Sequence, residues 1–154
     1  DMTEQIILYD VFKSLDKKQY LVTKPVFFVD GQRKGEYDML IYDKQKNVHW
    51  GFEIKHTNSP FFKQEHHLQN NDFAEIMNKK YGHRQNVCVL YRGTPFRATS
   101  GTCYLNISDF LQKIYKTPDV EKVMLNLTKN LQVKELPTKG SHDSNEKKSE
   151  EYNT

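Results

Sequence analysis

Gly35–Thr57 reads GEYDMLIYD (Gly35–Asp43), then KQKN (Lys44–Asn47), then VHWGFEIKHT (Val48–Thr57). Both flanking segments alternate apolar and polar residues with period two, which predicts two half-buried strands joined by a four-residue loop. In the second strand Val48, Trp50, Phe52 and Ile54 share one face, and His49, Gly51, Glu53 and Lys55 share the other. In the first, Tyr37, Met39 and Ile41 oppose Glu36, Asp38, Leu40 and Tyr42. Pairing Asp43 with Val48 sets Asp38 directly across from Glu53, on one face of the sheet. Two facing carboxylates repel unless a cation lies between them. Lys55 is the positive side chain that alternation places beside them.

Outward from this hairpin, Glu4–Leu15 (EQIILYDVFKSL) is predicted as a helix, with Ile7, Leu8, Val11 and Leu15 on one stripe and Thr3 as N-cap. Glu4 stands at the head of that stripe; it either points inward to a partner or bends back to water in the first turn. Tyr20–Val29 (YLVTKPVFFV) is the first strand, with Pro25 marking an edge or a bulge, and Asp30-Gly31 turns into the hairpin. Phe62–Lys80 is predicted as a helix, its apolar stripe Leu68, Phe73, Ile76 and Met77, with Gly82 at the C-cap position. Asn86–Tyr91 (NVCVLY) has the near-continuous apolar run of a central strand. Gly93–Thr102 reads as a polar loop and Cys103–Ile107 as a strand. Ser108 is the expected cap of the helix DFLQKIY, and Asp119–Asn130 forms one more helix.

The fold expected is α/β: helix, three-stranded meander, helix, strand, giving a mixed sheet flanked by helices. Residues 1–131 are expected to form one domain and 132–154 a polar, disordered tail. Charged residues are 28% of the chain and the net charge is +3, which permits a polyanionic partner without requiring one. Cys88 and Cys103 have no paired metal spacing, and neither a signal peptide nor an apolar run near membrane-spanning length occurs. A reduced, cytoplasmic protein is expected, with no membrane partner. The chain begins at Asp1 with a helix already under way by Thr3, so a piece of a longer protein is expected.

Magnesium or manganese takes carboxylate oxygens and keeps several waters. Asp38 and Glu53 therefore suffice for a site once a phosphate completes it, and the backbone carbonyl of Ile54 can add a ligand. Such an ion acidifies a bound water and offsets charge in a phosphoryl transition state. Lys55, on the Glu53 face, can orient that water or neutralise phosphate oxygens. Spacing alone is unspecific: Glu146-Lys147-Lys148, after Asp143, also fits E-x-K. The strand context separates the two, although Glu53 and Lys55 also suit ordinary cross-strand charges on a solvated face. His49, His56, His66 and His67 are read as structural or surface residues; His49 shares the Glu53 face.

The order of elements, with E-Y-D on one strand and G-F-E-I-K-H on the next, resembles the PD-(D/E)XK nuclease superfamily. GEYDMLI and FEIKHT are similar to the nuclease-like module that follows the P-loop (AAA-type) ATPase domain in a group of prokaryotic ATPases. The resemblance covers roughly Thr3–Tyr115. It implies a restriction-endonuclease-like core, Asp38 and Glu53 as ligands of Mg²⁺ or Mn²⁺, Lys55 as the catalytic lysine, and Glu4 as a further ligand from the helix. It also implies DNA as substrate and an ATPase domain in the parent chain. No G-x-x-x-x-G-K-[ST] loop occurs here, so any ATPase part lies outside this sequence. Some relatives carry Gln-x-x-x-Tyr on the following helix; this chain has Gln69-Asn70-Asn71-Asp72-Phe73, with Gln64 as another candidate.

Two functions follow. One is a metal-dependent nuclease hydrolysing DNA phosphodiesters, with Lys63, Lys79, Lys80, Arg84, Arg92 and Arg97 available to the backbone and Phe61, Phe62 and Phe96 to the bases. The other is a catalytically silent nuclease-fold module, serving as a DNA- or protein-docking domain of an ATPase.

Overall fold

The computed structural model describes residues 2–29, 31–60 and 71–136. In chain order they form α1 (Met2–Ser14), β1 (Tyr20–Thr23), β2 (Val26–Val29), β3 (Gln32–Glu36), β4 (Met39–Asp43) and β5 (Val48–Ile54). These are followed by α2 (Asn71–Tyr81), β6 (His83–Tyr91), β7 (Phe96–Ala98), β8 (Cys103–Asn106), α3 (Ile107–Lys116), α4 (Val120–Thr128) and β9 (Val133–Lys134). Seven strands make one mixed sheet in the order β1-β4-β5-β6-β8-β7-β9, and β2 and β3 form a separate two-stranded sheet. The fold is α/β, as expected, with helices on both faces of the sheet.

The β4–β5 hairpin has the expected register, from Asp43 opposite Val48 to Met39 opposite Phe52. Its loop is closed by Asp43, whose Oδ1 accepts the backbone N–H groups of Gln45 at 3.0 Å and Lys46 at 3.2 Å. That side chain is fully buried, so the turn is fixed by a short-range carboxylate bond and not by the loop sequence alone. β5 runs parallel to β6, and β6 parallel to β8, so β6 is interior as its apolar run predicts. Gly82 admits this geometry. Its φ is +73°, and a Cβ there would run into the Asn47 carbonyl, which accepts the His83 N–H at 3.1 Å.

On one face, Ile7 and Val11 of α1, Phe110 and Ile114 of α3 and Val123 of α4 pack on Met39, Ile41, Trp50, Phe52 and Leu90. On the other, Phe73, Met77 and Tyr81 of α2 cover Leu40, Val89, Tyr91 and Tyr104. The hairpin strands are thus buried on both faces, where alternation alone predicts one wet side. Burying a side chain as large as Trp50 or Phe52 contributes about 2–3 kcal/mol.

Several boundaries differ from the sequence reading. Tyr20–Val29 is two strands, broken at Lys24-Pro25, because proline cannot donate to the ladder that joins β1 to β4. Gly35–Asp43 is also interrupted, at Tyr37–Asp38, so Glu36 ends the separate β2–β3 hairpin and β4 begins at Met39. Tyr37 consequently lies on the α2 side with Leu40 and Phe73, not beside Met39. Its ring sits where a side chain at position 51 would be, which only glycine permits. β5 ends at Ile54 and not at Thr57, although the Lys55 N–H still reaches the Leu90 carbonyl at 2.9 Å.

The Gly93–Thr102 segment contains β7, an added strand between β8 and β9 that stacks Phe96 on Tyr104 with ring centroids 4.6 Å apart. Asn106, not Ser108, caps α3: its Oδ1 accepts the Asp109 N–H at 3.1 Å. Asp119 caps α4 in the same way. β9, just past the expected domain boundary at 131, pairs with β7, and Leu136 packs against the α2 face. Residues 62–70 of the predicted Phe62–Lys80 helix, and the tail from Pro137, lie outside the described residues.

Candidate functional site

The break that ends β3 delivers Asp38 to the end of β5. Its Oδ2 accepts the Ile54 backbone N–H at 2.7 Å, a bond the strand ladder would otherwise have used. Glu53 and Lys55 flank Ile54, with Lys55 Nζ 3.7 Å from Glu53 Oε1. Asp38 is 7% exposed and Glu53 8%. Burial pushes the Asp38 carboxyl up to about 6, and the Glu53 charge adds to it. The Ile54 N–H works against the rise, Glu4 reinforces it, and Lys55 lowers it weakly. Glu4, Asp38, Glu53 and Lys55 are therefore brought to one end of the sheet.

Within that group the roles divide. Glu4 reaches in from the first turn of α1 but is held at 3.3 Å by Lys24 Nζ, from the residue after β1. Among the described residues, no three His, Cys, Asp or Glu side chains form a group that could hold one ion, so Glu4, Asp38 and Glu53 do not make a three-acid site. That pair supplies hard oxygen donors in a largely buried setting, the chemistry a magnesium or manganese ion requires. A strand residue directs its N–H and carbonyl to the same side, so the Ile54 carbonyl faces the side from which Asp38 approaches. The donor set, two carboxylates and a backbone carbonyl, is of the chemical kind that takes a divalent ion.

Two clefts, neither of them lined by Asp38, Glu53 or Lys55, lie at the carboxyl ends of the parallel strands β6 and β8, where open α/β sheets bind ligands. The Arg92 N–H donates to the Thr57 carbonyl at 2.9 Å, tying the end of β6 to the segment after Lys55. A cleft of about 550 Å³ is lined by Asn58, Arg92, Thr94, Asn106 and Asp109 among others. A second, of about 390 Å³, runs from Arg92 and Asn106 to Ser108 and to Thr3, the neighbour of Glu4. Asn106 organises both, donating to the carbonyls of Arg92 at 3.3 Å and Gly93 at 3.2 Å while capping α3. The Arg92 side chain is left exposed at the junction.

Of the other predicted contacts, Arg84 pairs across from His49 at the far end of β5, four strand positions from Glu53. Its guanidinium donates to the Tyr37 hydroxyl at 3.2 Å. Arg97 sits on β7, reaching the Thr128 carbonyl at 3.3 Å. Lys63, Phe61, Phe62, Gln64, Gln69, His66 and His67 lie outside the described residues. His49 is fully buried against the Gly82 carbonyl at 3.0 Å, and burial lowers its pKa to about 4, so it is a neutral structural residue. Lys24 was not singled out by sequence. Pairing Thr23 with Leu40 would have placed it beside Asp38.

No family model, no curated protein and no solved structure matches the chain.

Proposed function

We propose that this chain is a nuclease-fold domain of the PD-(D/E)XK type that hydrolyses DNA phosphodiesters with magnesium or manganese, attached in its parent protein to a P-loop ATPase. The observation that carries the reading is the convergence of Asp38, Glu53 and Lys55 around the end of β5, with the Ile54 N–H fixing Asp38. The order α1, β1, β4, β5, α2, β6 agrees with the restriction-endonuclease-like core that the resemblance implies, with the β2–β3 hairpin as an insertion.

Asp38, Glu53 and the Ile54 carbonyl would hold the ion, which supplies an acidified water and charge neutralisation at the phosphate. Asp38 must then be ionised, so below about pH 6 binding releases the proton that burial favours in the free protein. Lys55, whose Nζ is 3.7 Å from Glu53 Oε1, would orient the attacking water or neutralise phosphate oxygens. Arg92, exposed between the two clefts, takes an adjacent backbone phosphate.

A second reading, a silent docking module, is favoured by the pairing of Glu4 with Lys24, which leaves the site with two acids and not three. Plasmid nicking with and without Mg²⁺ separates the two. Metal-dependent nicking that Lys55→Ala abolishes supports the enzyme. A parent chain that binds DNA and never nicks it under Mg²⁺ or Mn²⁺ supports the module.

A further inference from the structure

The chain's two cysteines face one another across the centre of the sheet. Cys88 of β6 and Cys103 of β8 are register partners in adjacent parallel strands. Both are free and fully buried on the α1/α3 side of the sheet. Neighbouring strands lie about 4.8 Å apart, inside the Cα separation of about 4.4–6.8 Å that a disulfide spans. Nothing in the proposed cleavage site uses them: Cys88 is aligned with Phe52, whose side chain points away from that of Glu53.

We propose that Cys88 and Cys103 are an oxidation site, closed by hydrogen peroxide into a cross-strand disulfide that joins β6 to β8. Cys103 is the attacking sulfur. Its hydrogen bond with Cys88, then Arg97 and Asn86, outweigh burial and bring its pKa down to about 7, whereas burial pushes the Cys88 thiol up. Cys103 also lies two residues from the exposed Ser100–Gly101 turn, and its Sγ is 3.9 Å from the Gly101 carbonyl, a short route for an oxidant little larger than water. The Cys103 thiolate attacks one peroxide oxygen; the S–O bond forms, the O–O bond breaks, and hydroxide leaves to take up a proton as water. Cys88 then attacks the sulfenic sulfur, forming S–S as the S–O bond breaks, and its proton leaves with the second water. Two thiols and one peroxide yield one disulfide and two waters.

The test is made on the full chain under native conditions. Peroxide is added, quenched with catalase, and remaining thiols are alkylated in denaturant. The expected product is monomeric, about 2 Da lighter than the reduced chain and unalkylated, with a Cys88 peptide linked to a Cys103 peptide after digestion. The melting midpoint should rise by roughly 5–10 °C, because the bridge closes a short loop in the unfolded chain, and a phosphine reductant should reverse it. Cys88→Ala, which removes the resolving sulfur, should instead leave Cys103 oxidised by added oxygen. Oxygen additions on both cysteines of the parent without a linked peptide would overturn the proposal. So would a covalent dimer, or a bridge that forms only once the chain is unfolded.

Discussion

Replacing Asp38 by asparagine should stabilise the metal-free protein at neutral and higher pH. The ordinary carboxyl value of 3.8 is raised to about 6 here, so the folded state binds the proton more tightly than the unfolded state does. The associated stability is therefore fully present below about pH 3.8 and is lost as pH rises through about 6. A shift of about two units, at about 1.4 kcal/mol each, makes the ionised group cost about 3 kcal/mol at pH 8. Asparagine is neutral throughout and keeps an oxygen for the Ile54 N–H, while one of its own N–H groups can donate to Glu53. The gain should approach about 3 kcal/mol at pH 8, fall to about half of that at pH 5, and fade further toward pH 4. For a chain of this length the pH 8 gain corresponds to roughly 6–12 °C in melting midpoint. Urea titrations of parent and variant at pH 8 and pH 5, with unchanged m-values, measure it directly. A variant less stable than the parent at pH 8, or a gain identical at both pH values, would refute the reasoning.

Added Mn²⁺ or Mg²⁺ should reverse that order, raising the parent's melting temperature more at pH 8 than at pH 5.5 and leaving Asp38→Asn unmoved, as calorimetry can read. Lys55→Ala should lose metal-dependent plasmid nicking yet keep metal-stabilised melting, because the acids hold the ion; substituting Glu146 and Lys148, the second E-x-K, should change neither. Arg92→Ala should weaken DNA binding evenly across sequences and reduce the salt slope by about one phosphate, measured by fluorescence anisotropy. Arg84→Ala, which strips the Tyr37 hydroxyl of its donor, should cost about 1 kcal/mol in urea and leave DNA binding alone. Gly82→Ala should destabilise by more than about 2 kcal/mol, since both its φ and the Asn47 carbonyl forbid a Cβ, and a smaller loss in urea would contradict the turn geometry.

The hairpin register was legible because a four-residue loop leaves little choice once two alternating runs must face one core, and Asp43 against Val48 follows. The α1 stripe and the interior place of β6 were legible for the same reason: each has one periodicity and one way to bury it. Tyr37–Asp38 was not. Glu36-Tyr37-Asp38-Met39 continues the alternation without a glycine or proline, so nothing local marks the break. Its cause is a carboxylate-to-backbone bond between Asp38 and a residue sixteen positions away. The second buried face was also hidden, because the α2 stripe is short and its partners, Tyr91 and Tyr104, come from strands read separately. At α3, Asn106 and Ser108 are both good caps, and the choice fell to the residue already fixed as the last of β8.

The cost concentrated at Asp38 bears on what the residue is for. A side chain retained for the fold alone would be one that the fold favours, and the bond to Ile54 needs only an acceptor oxygen there, which an amide supplies. The negative charge adds nothing to that bond that offsets burial beside Glu53, since the carboxyl still holds its proton more tightly than in water. Lys55 does not remove the imbalance: it sits 3.7 Å from Glu53 and acts only weakly on Asp38. Glu4, a third negative charge nearby, deepens it. A buried pair of acids that is unfavourable when empty gains from a divalent cation, whose attraction opposes the burial and like-charge effects that raise the Asp38 pKa. The electrostatics of this corner are the ones the proposed metal-dependent reading calls for, and the pH dependence of metal-induced stabilisation tests that link without any assay of cleavage.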